Sequence, residues 1–218
     1  MYDPSKKIIA GLDEAGRGPV FGPMVICGAM FDRENLKKLG DIGVRDSKLL
    51  TPRRREMLDR EIRSIARRIE IVEIQPQEID RLRMEENVNL NELEAMKFAG
   101  IIDALRPDIA YVDAADPDPS TFERRIRKNM KSGTELVVEN AADRKYTAVG
   151  AASIVAKVRR DARISELREK YGDFGSGYPS DPRTISFISR WVEEHGELPP
   201  FARKSWVTSQ RLNPKKKD

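Results

Sequence analysis

The sequence predicts an α/β protein in which a five-stranded sheet is flanked by helices and followed by a mostly helical C-terminal part. Two observations predict it. Apolar runs of strand length recur at residues 7–12, 24–31, 69–74, 109–112 and 135–138. Between and after them lie longer segments whose apolar residues recur every three or four positions, the period of a helix packed on one face. No internal repeat or low-complexity tract interrupts this alternation.

Taken in order, residues 7–12 and 24–31 read as a pair of antiparallel strands, with the Gly16-Arg17-Gly18-Pro19 cluster marking a tight connection between them. Thr51-Pro52 has the form of a helix N-cap followed by proline at the first helical position, and Leu58, Ile62, Ile65 and Ile69 continue at helical spacing. Ile69, Ile71 and Ile74 suggest a third strand of imperfect period. A helix is expected over residues 91–105, ended by Pro107, and a compact buried strand over 109–112 delivers Asp113 at its C-terminal end. Ser120-Thr121-Phe122-Glu123 matches a capping box that would open a short basic helix. After a fifth strand at 135–138, Ala151, Val155, Val158 and Ala162 mark a long helix from about 149 to 169. The glycine-rich residues 171–178 end it, and a further helix is expected over about 184–194. The domain division read from this pattern is a catalytic domain over 1–170 and a helical extension with a basic tail over 171–218.

Composition narrows the function. With 39% hydrophobic and 35% charged residues the chain is charge-rich and able to bury a core, and no apolar stretch approaches the ~18 residues of a membrane span. A strand-like run begins within seven residues of the start, leaving no room for a signal peptide, so a cytoplasmic location is expected. Cys27 is the single cysteine and lies in an apolar run, where a small buried hydrophobe is expected. With one cysteine and one histidine, a zinc site of the His/Cys kind is nearly excluded. The net charge of +4 permits a polyanionic partner without establishing one.

Four acidic residues stand apart by position. Asp13 and Glu14 follow the first strand, Asp113 ends the fourth, and Asp143 lies between the fifth strand and the long helix. If those strands are neighbours, the carboxylates converge on one edge of the sheet, and clustered carboxylates call for hard cations such as Mg²⁺ or Mn²⁺. Solvated side chains or helix caps are the plain alternative, and spacing alone does not choose between Asp113, Asp116 and Asp118. Gly16 and Gly18 flank Arg17 in a loop whose backbone could approach a phosphate, or which could be a simple turn. Asp46-Ser47-Lys48 offers a hydroxyl and an ammonium before a helix. Ser153, Lys157 and Arg160 share a polar face of the long helix that could meet a nucleic-acid backbone or only solvent.

These residues resemble the ribonuclease HII family (type 2 ribonuclease H). The likeness runs from Gly11-Leu12-Asp13-Glu14-Ala15-Gly16-Arg17-Gly18-Pro19 through Asp46-Ser47-Lys48-Leu49 and Tyr111-Val112-Asp113-Ala114-Ala115-Asp116. It continues through Ala142-Asp143-Arg144-Lys145-Tyr146, residues 151–158 and residues 173–178; residues 175–183 resemble the archaeal branch. The resemblance implies a ribonuclease H-like mixed five-stranded sheet with a helical C-terminal extension. It implies that Asp13, Glu14, Asp113 and Asp143 hold two divalent ions, Mg²⁺ or Mn²⁺, and it favours Asp113 over Asp116. It places Gly16, Arg17 and Gly18 at the ribonucleotide and Tyr178 stacked at the RNA–DNA junction. Ser47, Lys48, Ser153 and Lys157 fall at backbone contacts. The implied reaction is endonucleolytic hydrolysis of RNA in RNA/DNA hybrids, and 5′ of ribonucleotides embedded in duplex DNA, leaving 3′-hydroxyl and 5′-phosphate ends. One ion would activate water while the other stabilises the leaving oxygen.

Two departures bear on this. The family commonly carries His-Lys-Ala-Asp where this chain has Asn140-Ala141-Ala142-Asp143, so a contact near that ligand is altered. Some archaeal relatives end in a motif that docks on a sliding clamp; Gln210-Arg211-Leu212-Asn213 lacks the following hydrophobic pair, which leaves that partner unsupported. Nothing in the sequence suggests more than a monomer. Two rival readings are another metal nuclease or integrase of the same fold and a non-catalytic hybrid-binding module.

Overall fold

The computed structural model describes residues 7–44 and 50–213. The sheet is mixed and five-stranded, in the order β3-β2-β1-β4-β5, formed by β1 (Ile9–Ala15), β2 (Met24–Phe31), β3 (Arg68–Ile74), β4 (Ile109–Asp113) and β5 (Glu135–Glu139). β1 runs antiparallel to β2 from Ile9↔Phe31 to Ala15↔Val25 and parallel to β4, which is in turn parallel to β5. All five expected strands are present. The imperfect period of the third has a cause: β3 is the edge strand and is half-buried along most of its length, so no face is strongly selected.

The helices in chain order are α1 (Arg33–Asp41), α2 (Pro52–Ile65), α3 (Pro76–Met84), α4 (Leu90–Leu105), α5 (Pro119–Asn129), α6 (Ala142–Lys145), α7 (Thr147–Tyr171), α8 (Pro182–His195) and α9 (Val207–Leu212). Thr51 caps α2 as expected, accepting from the Arg54 N–H at 3.3 Å. α5 departs from expectation. Its N-cap is Asp118, with Pro119 at the first position, and Ser120 donates its hydroxyl to Asp118 instead of capping. A carboxylate one residue ahead of a proline supplies both a strong acceptor and a preset φ.

By compactness the chain divides into two units, along lines other than the contiguous division read from the sequence. The first comprises residues 1–15, 25–72 and 91–159; the second comprises 16–24, 73–90 and 160–218. In the first unit, alternate residues of β1 and β2 face helices on opposite sides of the sheet. Cys27 and Ala29 pack with Leu39, Leu58, Ile62 and the α7 residues Ala151, Ala152 and Val155. On the other face a Cβ at Gly28 would stand 2.4 Å from Ile101 of α4, and Phe98 and Phe122 meet edge to face at 5.8 Å.

The second unit has its own core. Phe21 lies 5.0 Å from Phe201 and 5.1 Å from Phe174, ring centre to ring centre, with Phe187, Ile188 and Leu198 around them. Phe21 explains why the β1–β2 connection is not tight: residues 16–23 leave the sheet to carry this ring into a core, and Phe21 bridges Ala202. No helix among the described residues is long and apolar enough to cross a membrane.

Candidate active site

In the first unit, β1 and β4 are parallel neighbours, so Asp13 and Asp113, near their C-terminal ends, fall at the same end of the sheet. Asp143 arrives on α6, directly after β5. Oxygens of Asp13, Asp113 and Asp143 all lie within 4.8 Å of one another. Asp13 and Asp143 are buried and Asp113 is partly so. Glu14, which the sequence leads one to expect with the other three, is not in this group; in a strand its side chain leaves on the face opposite Asp13. It still acts on the site. Burial first, then the charge of Glu14 and the nearby Asp113, push the Asp13 carboxyl well above the usual carboxylate range; Lys157 and a hydrogen bond from Ser153 pull the other way.

Ser153 and Lys157 are both on α7, and Lys157 donates its ammonium to the Ser153 hydroxyl. Ser153 is fully buried, so its side chain serves Asp13 and not an open surface. Asp113 accepts from the Ala142 N–H at 2.9 Å. That geometry is made by Ala141, whose φ of 55° is left-handed and costly for a residue with a Cβ. Asn140, in the position of the family histidine, donates to the Pro117 carbonyl at 3.1 Å. Of the neighbouring aspartates, Asp113 lies in the group and the other two are engaged elsewhere. Asp116 is taken up by Asn91 at 2.6 Å and by Arg125, and Asp118 caps a helix.

The donor set fits divalent cations. It consists of hard carboxylate oxygens, two of the three residues are buried, and Asp143 Oδ1 is buried with no hydrogen-bond partner among the described residues. Such an atom beside two other carboxylates is strongly unfavourable unless positive charge sits among them.

The second unit gathers three other expected residues. Gly16 has a φ of 84°, and a Cβ there would stand 2.9 Å from the Pro23 carbonyl and 2.3 Å from the Arg160 side chain, so backbone conformation and the Pro23 carbonyl both favour glycine. A Cβ at Gly18 would stand 3.4 Å from the Tyr178 ring, which is itself 44% exposed over the glycine. The Tyr178 loop is pinned: Val20 N–H donates to Gly177 O at 2.7 Å, Gly177 N–H to Thr184 Oγ1 at 3.0 Å, and Ser176 N–H to Asp181 at 2.7 Å. Arg17 is half-buried between the two glycines. Ser47 and Lys48 lie outside the described residues.

Sequence reasoning missed Arg203 and Trp206. Arg203 is fully buried and donates to the carbonyls of Gly16, Arg17 and Gly22, while the Trp206 indole N–H donates to Gly18 O. An arginine set among Phe201, Ala202 and Trp206 was the available signal. Arg160, noted only as part of a polar face, is 9% exposed, and its Nε and Nη2 have no partner among the described residues.

Carboxylates brought together by three separate elements at one end of a mixed five-stranded sheet define a metal-dependent nuclease of the ribonuclease H-like fold. The family described as Ribonuclease HII matches residues 10–209. The chain belongs to that family. It is 51% identical over 209 residues to a ribonuclease HII of Thermofilum pendens, covering 94% of this chain and 98% of that one. The crystal structure of ribonuclease H2 from Pyrococcus horikoshii superposes with a TM-score of 0.88 at 44% identity, covering 95% and 98%. The structure of a PCNA:RNase HII complex from Archaeoglobus fulgidus gives 0.84 at 42% identity, covering 94% and 96%. The protein is therefore a ribonuclease H, a divalent-metal-dependent endonuclease acting on RNA/DNA hybrids.

Proposed function

We propose that this ribonuclease H also cuts 5′ of single ribonucleotides embedded in duplex DNA, leaving 3′-hydroxyl and 5′-phosphate ends, with Asp13, Glu14, Asp113 and Asp143 as its metal-binding carboxylates. The observation that carries the metal chemistry is the grouping of Asp13, Asp113 and Asp143 oxygens within 4.8 Å. Two divalent ions bound there, Mg²⁺ or Mn²⁺, would supply activation of water and stabilisation of the leaving 3′ oxygen. The chain's own residues do the rest. Ser153, by its hydrogen bond, and Lys157, by its charge, favour the ionised Asp13 carboxylate against the effect of burial, while the Ala142 N–H holds Asp113 in place.

Choosing a ribonucleotide depends on the 2′-hydroxyl, the group that distinguishes RNA from DNA. Gly16, Arg17 and Gly18 bring backbone and a guanidinium to it, and the exposed ring of Tyr178, standing over Gly18, is suited to stack on the sugar–base step. Arg160 Nε and Nη2, buried beside Gly16 and without partners among the described residues, are suited to a phosphate oxygen. Lys157, Ser47 and Lys48 are proposed as further backbone contacts. The Archaeoglobus relative was solved with PCNA. Here Leu212 ends α9 and is followed by Asn213 and Pro214, not by a hydrophobic pair, so a sliding-clamp contact is not part of the proposal.

The test is a labelled duplex carrying one ribonucleotide, incubated with the protein in Mg²⁺, in Mn²⁺ and in chelator, beside an all-DNA duplex and an Asp13→Asn variant. Metal-dependent cutting 5′ of the ribonucleotide, absent in both controls, is expected. Folded protein that binds this duplex and cuts a long RNA/DNA hybrid, yet never cuts at the single ribonucleotide with either metal, would overturn the proposal.

A further inference from the structure

The Gly16-Arg17-Gly18 loop contributes backbone to the proposed recognition, yet it belongs to no strand or helix that would fix its peptide planes. Within the second unit they are fixed by one side chain. Arg203 Nη2 donates to Gly16 O at 2.6 Å, Nη1 to Arg17 O at 2.9 Å, and Nε to Gly22 O at 3.1 Å. The next carbonyl, Gly18 O, accepts from Trp206 Nε1 at 3.1 Å. Three successive carbonyls are thus drawn to one side. In a trans peptide the following N–H points opposite to the carbonyl, so the Arg17 and Gly18 N–H groups are turned away from the guanidinium, and the third plane ends in Pro19, which has none.

The arrangement is built at a cost. Arg203 is cut off from water: it is 0% exposed, its nitrogens donate to carbonyls and to no carboxylate among the described residues, and its guanidinium lies 4.7 Å from the Trp206 ring centre. Burial, and secondly the like charge of Arg160, lower its pKa to about 9. The turn that presents it is anchored from outside the loop. Asp80 of α3 accepts from the Lys204 N–H at 2.7 Å and the Ser205 N–H at 2.8 Å, and Arg83 lies 4.9 Å from the Trp206 ring centre. Lysine cannot replace this fork, because a tetrahedral ammonium does not reach three carbonyls arrayed in the guanidinium plane.

We infer that Arg203, with Trp206, is a positioning residue for ribonucleotide recognition, holding the carbonyls of residues 16–18 so that the Arg17 and Gly18 N–H groups face the substrate. The inference rests on the proposed role of that loop. It makes the C-terminal segment a working part of specificity and not an appendage.

The experiment measures kcat and KM on two substrates, a duplex with one ribonucleotide and a long RNA/DNA hybrid, for the wild type, Arg203→Lys, Trp206→Phe and Tyr178→Ala, with Tm recorded for each. Trp206→Phe keeps the ring and removes one hydrogen bond. It is expected to raise KM for the single-ribonucleotide duplex about tenfold relative to the hybrid, the scale of one hydrogen bond. Arg203→Lys is expected to exceed that. A loss of stability alone would lower kcat on both substrates together and leave the KM ratio unmoved. An unchanged ratio in Trp206→Phe and in folded Arg203→Lys, while Tyr178→Ala loses ribonucleotide preference, overturns the inference and spares the loop's role. A wild type that does not cut the single-ribonucleotide duplex overturns the reading beneath both.

Discussion

At the scale of single residues the site is held in tension by Asp13. Its carboxyl is pushed up by burial, then by Glu14, with Asp113 adding to the effect. Because the folded pKa lies above the unfolded one, the group favours folding at low pH, and that contribution is lost as pH rises from about 4 through the folded value. Metal-free protein therefore carries the cost of the carboxylate at neutral pH. In chelator, Asp13→Asn is expected to melt at a higher temperature than wild type at pH 7, with the difference closing below about pH 4. Added Mg²⁺ or Mn²⁺ should raise the wild-type Tm and leave the variant's unchanged, while cleavage by the variant falls more than about a hundredfold, beyond the loss of an outer ligand contact. Equal melting temperatures across pH would contradict the burial assigned to Asp13. Ala141 offers an independent check. Its left-handed φ of 55° costs roughly 1–2 kcal/mol, and glycine removes that cost while adding about 0.4–1 kcal/mol of unfolded-state freedom. Ala141→Gly should thus stabilise by about 1 kcal/mol or less in urea unfolding, with the Ala142 bond to Asp113 retained.

At the scale of elements, β1 and α7 set the site together. A Cβ at Gly11 would lie 2.1 Å from the Ala148 carbonyl carbon and 2.3 Å from the Val149 nitrogen, all backbone that cannot turn aside. Asp13 follows two residues later on the same face of β1, and Ser153 follows on α7, so this contact sets how the hydroxyl meets the carboxylate. Gly11→Ala is expected to cost about 3 kcal/mol or more by forcing helix from strand. An unchanged denaturation midpoint would refute the contact. Much of this level was legible. The strand bearing Asp113 reads plainly because both its faces are covered, which leaves a compact apolar run. α1 and α3 were not read, since each is short and charged, although Asp32 and Pro76 stood at their starts as cap and first-turn proline. Asp113 and Asp116 could not be separated by spacing. What separates them is Arg125 and Asn91, brought in from other helices. The bonds from Arg203 to residues 16 and 17 join positions almost the whole chain apart, and no local period records such a pairing.

At the scale of the whole molecule, the two compact units carry different parts of the proposed task. Asp13, Asp113 and Asp143 belong to the first, while Gly16, Gly18, Tyr178, Arg160 and Arg203 belong to the second. Chemistry and choice of substrate should then be separable by mutation. Removing a first-unit carboxylate should abolish cutting of every substrate while duplex binding persists, since the proposed contacts of the second unit are untouched. Tyr178→Ala should do the reverse. Loss of one stacking platform is worth about 1–3 kcal/mol, so cleavage at a single ribonucleotide should weaken roughly 10–100-fold, while the variant still requires metal and still cuts hybrid. Salt gives a third, orthogonal readout. Arg160→Ala removes a charge proposed to meet a phosphate, so it should flatten the plot of log affinity against log salt by about one contact, whereas Tyr178→Ala should lower the line without changing its slope. A parallel loss of slope in both variants would mean that Tyr178 acts by arranging the basic groups and not by stacking, and the division of labour between the units would fail with it.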